Sequence, residues 1–338
     1  SSPESVLDRW TQKMLYPDSC YTEESGSDPD VIPELTYEQF LDFHRTYYHP
    51  SNSFIYLYGD MDMAEKLTWL DEEYLSKYEA REVHSEIPMQ KPFEKPVEQE
   101  IFYSITEEEP EEKATYLSVN TVVGTDLDPK LYLAFQILEY ALINVPGAPL
   151  KQALLDAGIG HDILGGYENG ILQPYFTVVA KGAEKEQKGE FLAVLKGTLR
   201  RLADRGMDKK SLLSGINYYE FRSREADYGT APKGLMYGLQ SLDSWLYGGD
   251  PMMHLSYGET FAFLKQAVNE GYFEQLIRDY LLDNPTEAVI VVSPRRNLTA
   301  EKDSALAERL AAYKASLSQE EIRKLVEETK ALKAYQDE

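Results

Sequence analysis

Thr36-Tyr37-Glu38-Gln39-Phe40-Leu41-Asp42-Phe43-His44-Arg45-Thr46-Tyr47-Tyr48-His49-Pro50 reads as one capped helix and its stop. Thr36 is a good N-cap, Phe40, Phe43 and Tyr47 are the apolar positions, and Pro50 cannot continue the helix. A strand is expected next, Ser53-Phe54-Ile55-Tyr56-Leu57-Tyr58, ended by Gly59-Asp60. The same order returns far along the chain. Phe273-Glu274-Gln275-Leu276 opens a helix, Pro285 stops it, and Ala288 to Val292 is a strand of the buried type.

The two helix starts, Tyr37 and Phe273, lie 236 residues apart. Such spacing predicts two copies of one domain ending. Residues 1–80 are then the C-terminal part of a first domain, and residues 81–100, rich in Pro and Glu, a linker. Residues 101–300 form a second, complete domain, and residues 301–338 a helical hairpin. The first copy is expected to lack more than half of its domain at the N-terminal end. A start at Ser1-Ser2-Pro3-Glu4, without an initiator Met, fits a proteolytic or engineered beginning.

Within the second domain, Ala114 to Val123 reads as a strand and Asp126-Leu127-Asp128-Pro129 as the start of a helix reaching about Asn144. A shorter helix spans Pro149 to Ala157. Ile163-Leu164-Gly165-Gly166-Tyr167 precedes a strand from Gln173 to Ala180. Two long helices cover Glu184 to Arg205 and Asp208 to about Ala226, and residues 234–283 are largely helical. In the tail, Leu306, Leu310, Tyr313 and Leu317 share one helical face, and Ser318-Gln319-Glu320-Glu321 is a capping-box pattern. The hairpin's apolar face expects a partner. The fold class is therefore α+β: an antiparallel sheet flanked by helices, a partial copy of the same domain, and a helical hairpin.

The 338 residues carry a formal charge of −24, which repels nucleic acid and attracts basic ligands. No apolar run approaches the roughly 20 residues of a membrane helix. Cys20 is the only cysteine, so neither an intrachain disulfide nor a Cys-based zinc cluster can form, which fits a reducing, cytoplasmic compartment in a bacterium. The five histidines are His44, His49, His84, His161 and His254. His44 and His49 would stand about 140° apart on a helix and cannot chelate one ion together. Asn297-Leu298-Thr299 matches a glycosylation acceptor, but nothing else suggests secretion. Glu107 to Glu112 reads as a solvated acidic loop.

Thr36 to Phe40 with Phe43-His44, Tyr47-Tyr48-His49-Pro50-Ser51-Asn52 and Gly59-Asp60 resembles the helix-to-strand passage near the end of the first domain of the insulinase (pitrilysin) family. Leu325-Val326-Glu327-Glu328-Thr329-Lys330 resembles the linker joining the halves of presequence proteases. The resemblance implies four homologous α/β domains in two hinged halves around a chamber, with catalysis by zinc on an inverted His-x-x-Glu-His motif. The glutamate completing that metal site would sit shortly before the stretch resembling Ser1 to Ser5. None of these ligands occurs here, and the matching position in the second domain is Gln136-Ile137-Leu138-Glu139-Tyr140, with both histidines replaced. The expectation is a non-catalytic portion of a zinc metalloendopeptidase acting on short unfolded peptides. It would have no catalytic or metal residue of its own; zinc and the remaining domains belong to the parent protein.

Leu164, Gly165, Gly166 and Tyr167 are the candidate substrate-binding residues. They resemble the second-domain edge that docks substrate N-termini in insulin-degrading relatives, while the bland alternative is a plain turn before a core strand. Tyr218, Tyr219 and Phe221 are candidates for the chamber wall or for helix packing. An inactive family member serving as a scaffold subunit is the competing reading, and an unrelated peptide-binding module with a coincidental repeat is a third.

Overall fold

The computed structural model describes residues 2–24 and 31–337. Its centre is a five-stranded sheet built by β1 (Val97–Ile105), β2 (Thr115–Val122), β3 (Asp162–Glu168), β4 (Tyr175–Ala183) and β5 (Glu287–Arg296), in the order β1-β5-β2-β4-β3. Every pairing is antiparallel except β1 with β5, which is parallel, so the sheet is mixed where an antiparallel one was expected. A parallel neighbour requires a long return path. Residues 106–286 lie between β1 and β5 and supply it.

The helices are α1 (Pro3–Leu15), α2 (Tyr37–Tyr47), α3 (Met63–Glu73), α4 (Pro129–Glu139), α5 (Pro149–Asp156), α6 (Lys188–Arg205), α7 (Lys209–Glu225), α8 (Lys233–Trp245), α9 (Gly258–Ala267), α10 (Tyr272–Leu276), α11 (Leu298–Ser316) and α12 (Gln319–Gln336). α4 starts where the sequence says it should: the Asp128 side chain accepts from the main chain of Lys130 and Leu131, and Pro129 fills a position whose N–H has no helical partner. α4 continues through a π-helical turn, Tyr140–Asn144, and α10 through another, Ile277–Leu282. α12 opens with the Ser318/Glu321 capping box.

Side-chain alternation gives the sheet two apolar faces. Leu117 and Val119 of β2 meet Phe135, Leu138, Leu195 and Phe273 on the helical side. Ile101, Tyr103, Ile290 and Val292 form the opposite face, covered by Leu7, Leu15 and Tyr16 around α1. Ala288 to Val292 is buried along its length, as its Val/Ile run implies. Each large side chain there contributes roughly 1.5–3 kcal/mol of burial.

Residues 53–58 behave differently from their counterpart in β5. They are extended but pair with no strand among the described residues, and Phe54 and Tyr58 are 45% and 53% exposed. The expected strand is thus corrected to an unpaired extended segment. A strand needs a ladder partner, and β5 has β1 and β2 on its two sides while this segment has none. It lies instead along α8: Tyr58 sits against Gly234, Tyr56 against Gly238, and the Phe54 and Trp245 rings meet edge to face at 4.8 Å. β1 begins inside the segment read as a linker, where its alternation was masked by Gln99 on the apolar face and Phe102 on the other. The acidic loop is exposed but anchored, since Arg296 donates to the Glu111 carboxylate and pairs with Glu107.

Candidate functional site

Leu164, Gly165, Gly166 and Tyr167 lie inside β3, the strand at the edge of the sheet, and not in a turn ahead of β4. β3 alternates strictly. Ile163 and Tyr167 are buried among the helices, while Leu164 on the other face is 39% exposed. Gly165 shares the inward face, and a β-carbon there would overlap Ile143 Cδ1 and stand 3.2 Å from its Cγ1. At Gly166 a β-carbon would come within 3.2 Å of Thr177 Cγ2. The glycines therefore let the Ile143 turn and β4 close tightly on the strand.

One long side of β3 pairs with β4, and the other meets no strand among the described residues. Val123 N–H donates to the Pro174 carbonyl and His161 N–H to the Lys181 carbonyl, so the even-numbered main-chain groups of β4 face β2, and Tyr167, opposite Phe176, turns its N–H away from β4. By the alternation of an antiparallel ladder, the main-chain groups of Ile163 and Gly165 point the same way. They form the open hydrogen-bonding edge.

Beside that edge lies a cavity of about 430 Å³, walled by α4, β3, α7 and α8. Tyr132, Gln136 and Glu139 come from α4, Tyr167 from β3, Tyr219 and Arg222 from α7, and Asp243 from α8. Tyr132 donates to Asp243 Oδ2 at 2.7 Å, and Asn144 Nδ2 donates to Glu139 Oε1 at 3.0 Å. Burial pushes the Glu139 carboxyl above its usual range, partly offset by Asn144 and reinforced by Glu168. Burial also lifts Asp243 to about 6, against the hydrogen bond from Tyr132. The Tyr167 hydroxyl is buried and finds no hydrogen-bond partner.

Deeper still, Asp126 is fully buried with both carboxylate oxygens unpartnered. Burial, with Asp243 adding, raises it to about 9, so near neutral pH it is an uncharged acid. His254 Nε2 meets the Asp126 carbonyl at 2.8 Å, and its ring stacks on Tyr132.

Of the residues singled out from sequence, Tyr219 lines the cavity. Tyr218 stacks on Tyr140, and Phe221 is exposed. Asp243 and Arg222 were missed, because no spacing within the chain announces that α7 and α8 face α4. Gln136 and Glu139 were flagged only as a degenerate motif, and the structure turns both into the cavity.

Zinc does not fit this donor set. Gln136, Glu139 and Tyr140 supply one carboxylate and no imidazole or thiolate, and Tyr140 is engaged with the ring of Tyr218. His44 stacks on Tyr48, His49 Nδ1 accepts from Ser51, and His254 is tied to Asp126. Among the described residues no three metal-ligating side chains converge.

A mixed sheet with helices packed against its faces and a tight glycine-bearing edge strand define an α+β domain. Comparison with known proteins gives its family. Residues 34–218 match the family described as the peptidase M16 inactive domain, and residues 292–338 match the region described as associated with subfamily C of peptidase M16. The chain belongs to the M16 peptidase family. It is 42% identical over 336 residues to protein HypA of Clostridium perfringens, covering 99% of this chain and 34% of that protein. It is 33% identical over 345 residues to presequence protease 1, chloroplastic/mitochondrial, of Arabidopsis thaliana, covering 100% of this chain and 32% of that one. The chain thus spans about a third of the length of these relatives. The crystal structure of a peptidase M16 inactive domain from Pseudomonas fluorescens superposes with a TM-score of 0.64 at 17% identity, covering 87% of this chain and 66% of that one. A protease from Helicobacter pylori gives 0.62 at 14%, covering 86% and 70%. These two likenesses speak for the fold.

Proposed function

We propose that this chain is the non-catalytic portion of a zinc metalloendopeptidase that degrades short unfolded peptides in an enclosed chamber, and that β3 is a docking edge for those peptides. The zinc centre and its His-x-x-Glu-His motif would reside elsewhere in the parent protein, which would bring the catalytic part and a second half to this one. The residue boundaries drawn at 80, 100 and 300 belong to the same proposal. A single cysteine in 338 residues supports a reducing bacterial cytoplasm. No helix among the described residues is long and apolar enough to cross a membrane.

The open edge of β3 carries this reading. An extended peptide adding to it gains main-chain hydrogen bonds whatever its sequence, which suits broad specificity. Leu164 and Gly166 lie on the strand's opposite face, so side chains of a bound peptide would alternate between the cavity and that face. The test is hydrogen exchange of the chain with an extended pentapeptide. Slowed exchange at Gly165 supports docking, and N-methylation of alternate peptide amides should abolish both protection and binding. Equal binding of the N-methylated peptide would refute strand addition. Separately, peptide turnover that persists through exhaustive purification would refute the non-catalytic assignment.

A further inference from the structure

We propose that α12 is a self-association surface, and that two copies of this chain pair through it as a short parallel two-stranded coiled coil.

The sequence of α12 repeats in sevens. With Ile322 at the first place of a heptad, the seam falls on Ile322, Leu325, Thr329 and Leu332, with Gln336 next. The first place is β-branched at both Ile322 and Thr329, and the fourth is leucine at both 325 and 332. That combination favours two parallel strands over three or four.

The structure leaves this stripe uncovered. No residue of α12 is buried among the described residues, and Leu325, Val326 and Leu332 are 43%, 48% and 55% exposed. At its start the stripe continues onto Tyr313 and Leu317 of α11, which line an open groove with Ile322 and Leu325. Most helical stability in proteins comes from packing an apolar face, and α12 has no such packing within one copy.

Charge decides the occupant. The chain carries −24, so two copies repel each other over most of their surface. α12 holds four acidic and four basic side chains, which makes it a neutral place where copies can meet. These charges are also sorted by side. Glu321 and Glu328 border the stripe on one flank, Lys333 on the other, with Arg323 and Lys330 beyond it. In a parallel pair opposite flanks face each other, which sets Glu328 of each copy against Lys333 of the other across the two-fold axis. Turning one helix round would bring the two glutamate flanks together instead. In the single chain Glu328 stands 3.8 Å from Lys324 on an exposed face, a contact worth little in water and readily exchanged for the pair between copies.

Sedimentation equilibrium of the whole chain, from about 1 μM to about 1 mM, should show a reversible monomer–dimer equilibrium. Leu325→Glu combined with Leu332→Glu should weaken it by about tenfold or more, with an unaltered thermal melt because both positions are exposed. Glu328→Lys and Lys333→Glu should each weaken the dimer, and the two together should restore it. Gln336→Cys, made with Cys20→Ser, should form a disulfide between copies under mild oxidation, because only parallel pairing brings the two 336 positions together. A chain that stays monomeric over this range overturns the proposal and leaves the stripe to a partner other than a second copy. A dimer indifferent to the Leu325/Leu332 variant overturns it by placing the contact elsewhere, such as the exposed aromatic rings of α2. A dimer that never forms the 336 disulfide overturns the parallel arrangement.

Discussion

Gly165 lies directly under Ile143, so close that no β-carbon fits between the edge strand and the π-helical turn. The two residues set how near α4 and its extension come to β3, and therefore where Glu139 stands against the open edge. Gly165→Ala should overpack this contact and destabilise the fold by about 1–3 kcal/mol. Ile143→Val in the same chain should recover part of the loss. Chemical denaturation of the two single variants and the double variant measures the coupling, and purely additive effects would mean the two side chains do not meet.

Asp126 predicts an unusual pH dependence. Its folded-state value, about 9, lies above the ordinary 3.8, so the fold holds the proton more tightly than the unfolded chain does. Its contribution to stability is complete below about pH 4 and declines as pH rises toward 9, by up to about 1.4 kcal/mol per pH unit for the one proton. Asp243 adds to the slope between about 4 and 6. Asp126→Asn should flatten the stability profile between pH 6 and 9. Thermal melts across that range check it, and an unchanged slope would show that Asp126 is charged or solvated in the fold.

Helix α1 is fastened to the sheet at Glu4, whose carboxylate accepts from Lys181 Nζ at 2.7 Å and from the Tyr116 hydroxyl at 2.9 Å. Lys181 chiefly holds the Glu4 carboxyl down at about 2. The sign is opposite to that of Asp126: the tie is present above the ordinary 4.5 and is lost as pH falls through about 2. The pair is partly exposed, so most of the docking energy must come from Leu15, which is fully buried. Leu15→Ala should cost about 2–5 kcal/mol, whereas Glu4→Gln should cost little at neutral pH and chiefly remove the acid-dependent step. Limited proteolysis near Tyr16 as a function of pH distinguishes the two effects.

Tyr58 and Tyr56 rest on the two glycines of α8, and a β-carbon at Gly238 would come 2.9 Å from Tyr56 Cε1. Gly234→Ala and Gly238→Ala should each favour the helix by about 1 kcal/mol of propensity while dislodging residues 53–58. The expected outcome is faster cleavage within 53–58 and altered Trp245 fluorescence, with the sheet intact by circular dichroism. Unaltered cleavage would show that the segment does not depend on the glycine groove.

Several of these features were legible in the sequence, and for local reasons. Asp128-Pro129, Ser318 to Glu321 and the Val/Ile run of β5 act through neighbours a few residues away, so capping and burial type follow from the order of side chains alone. The glycines at 165 and 166 announced a close approach but not to what. Strand β1 escaped notice because Gln99 interrupts its apolar face and Phe102 puts an aromatic ring on the other, and residues 53–58 were read as a strand because they have the composition of one.

By itself the sequence determined an α+β chain, the capped starts of α4 and α12 and the buried Val/Ile run of β5. Tertiary structure alone decided that β3 is the edge, that residues 53–58 lie on α8 without a ladder, and that Glu139, Tyr167 and Asp243 share one cavity. Local patterning specifies which face of an element is apolar. Which strand ends a sheet, and which distant carboxylates become neighbours, depends on long-range pairing that no segment encodes alone.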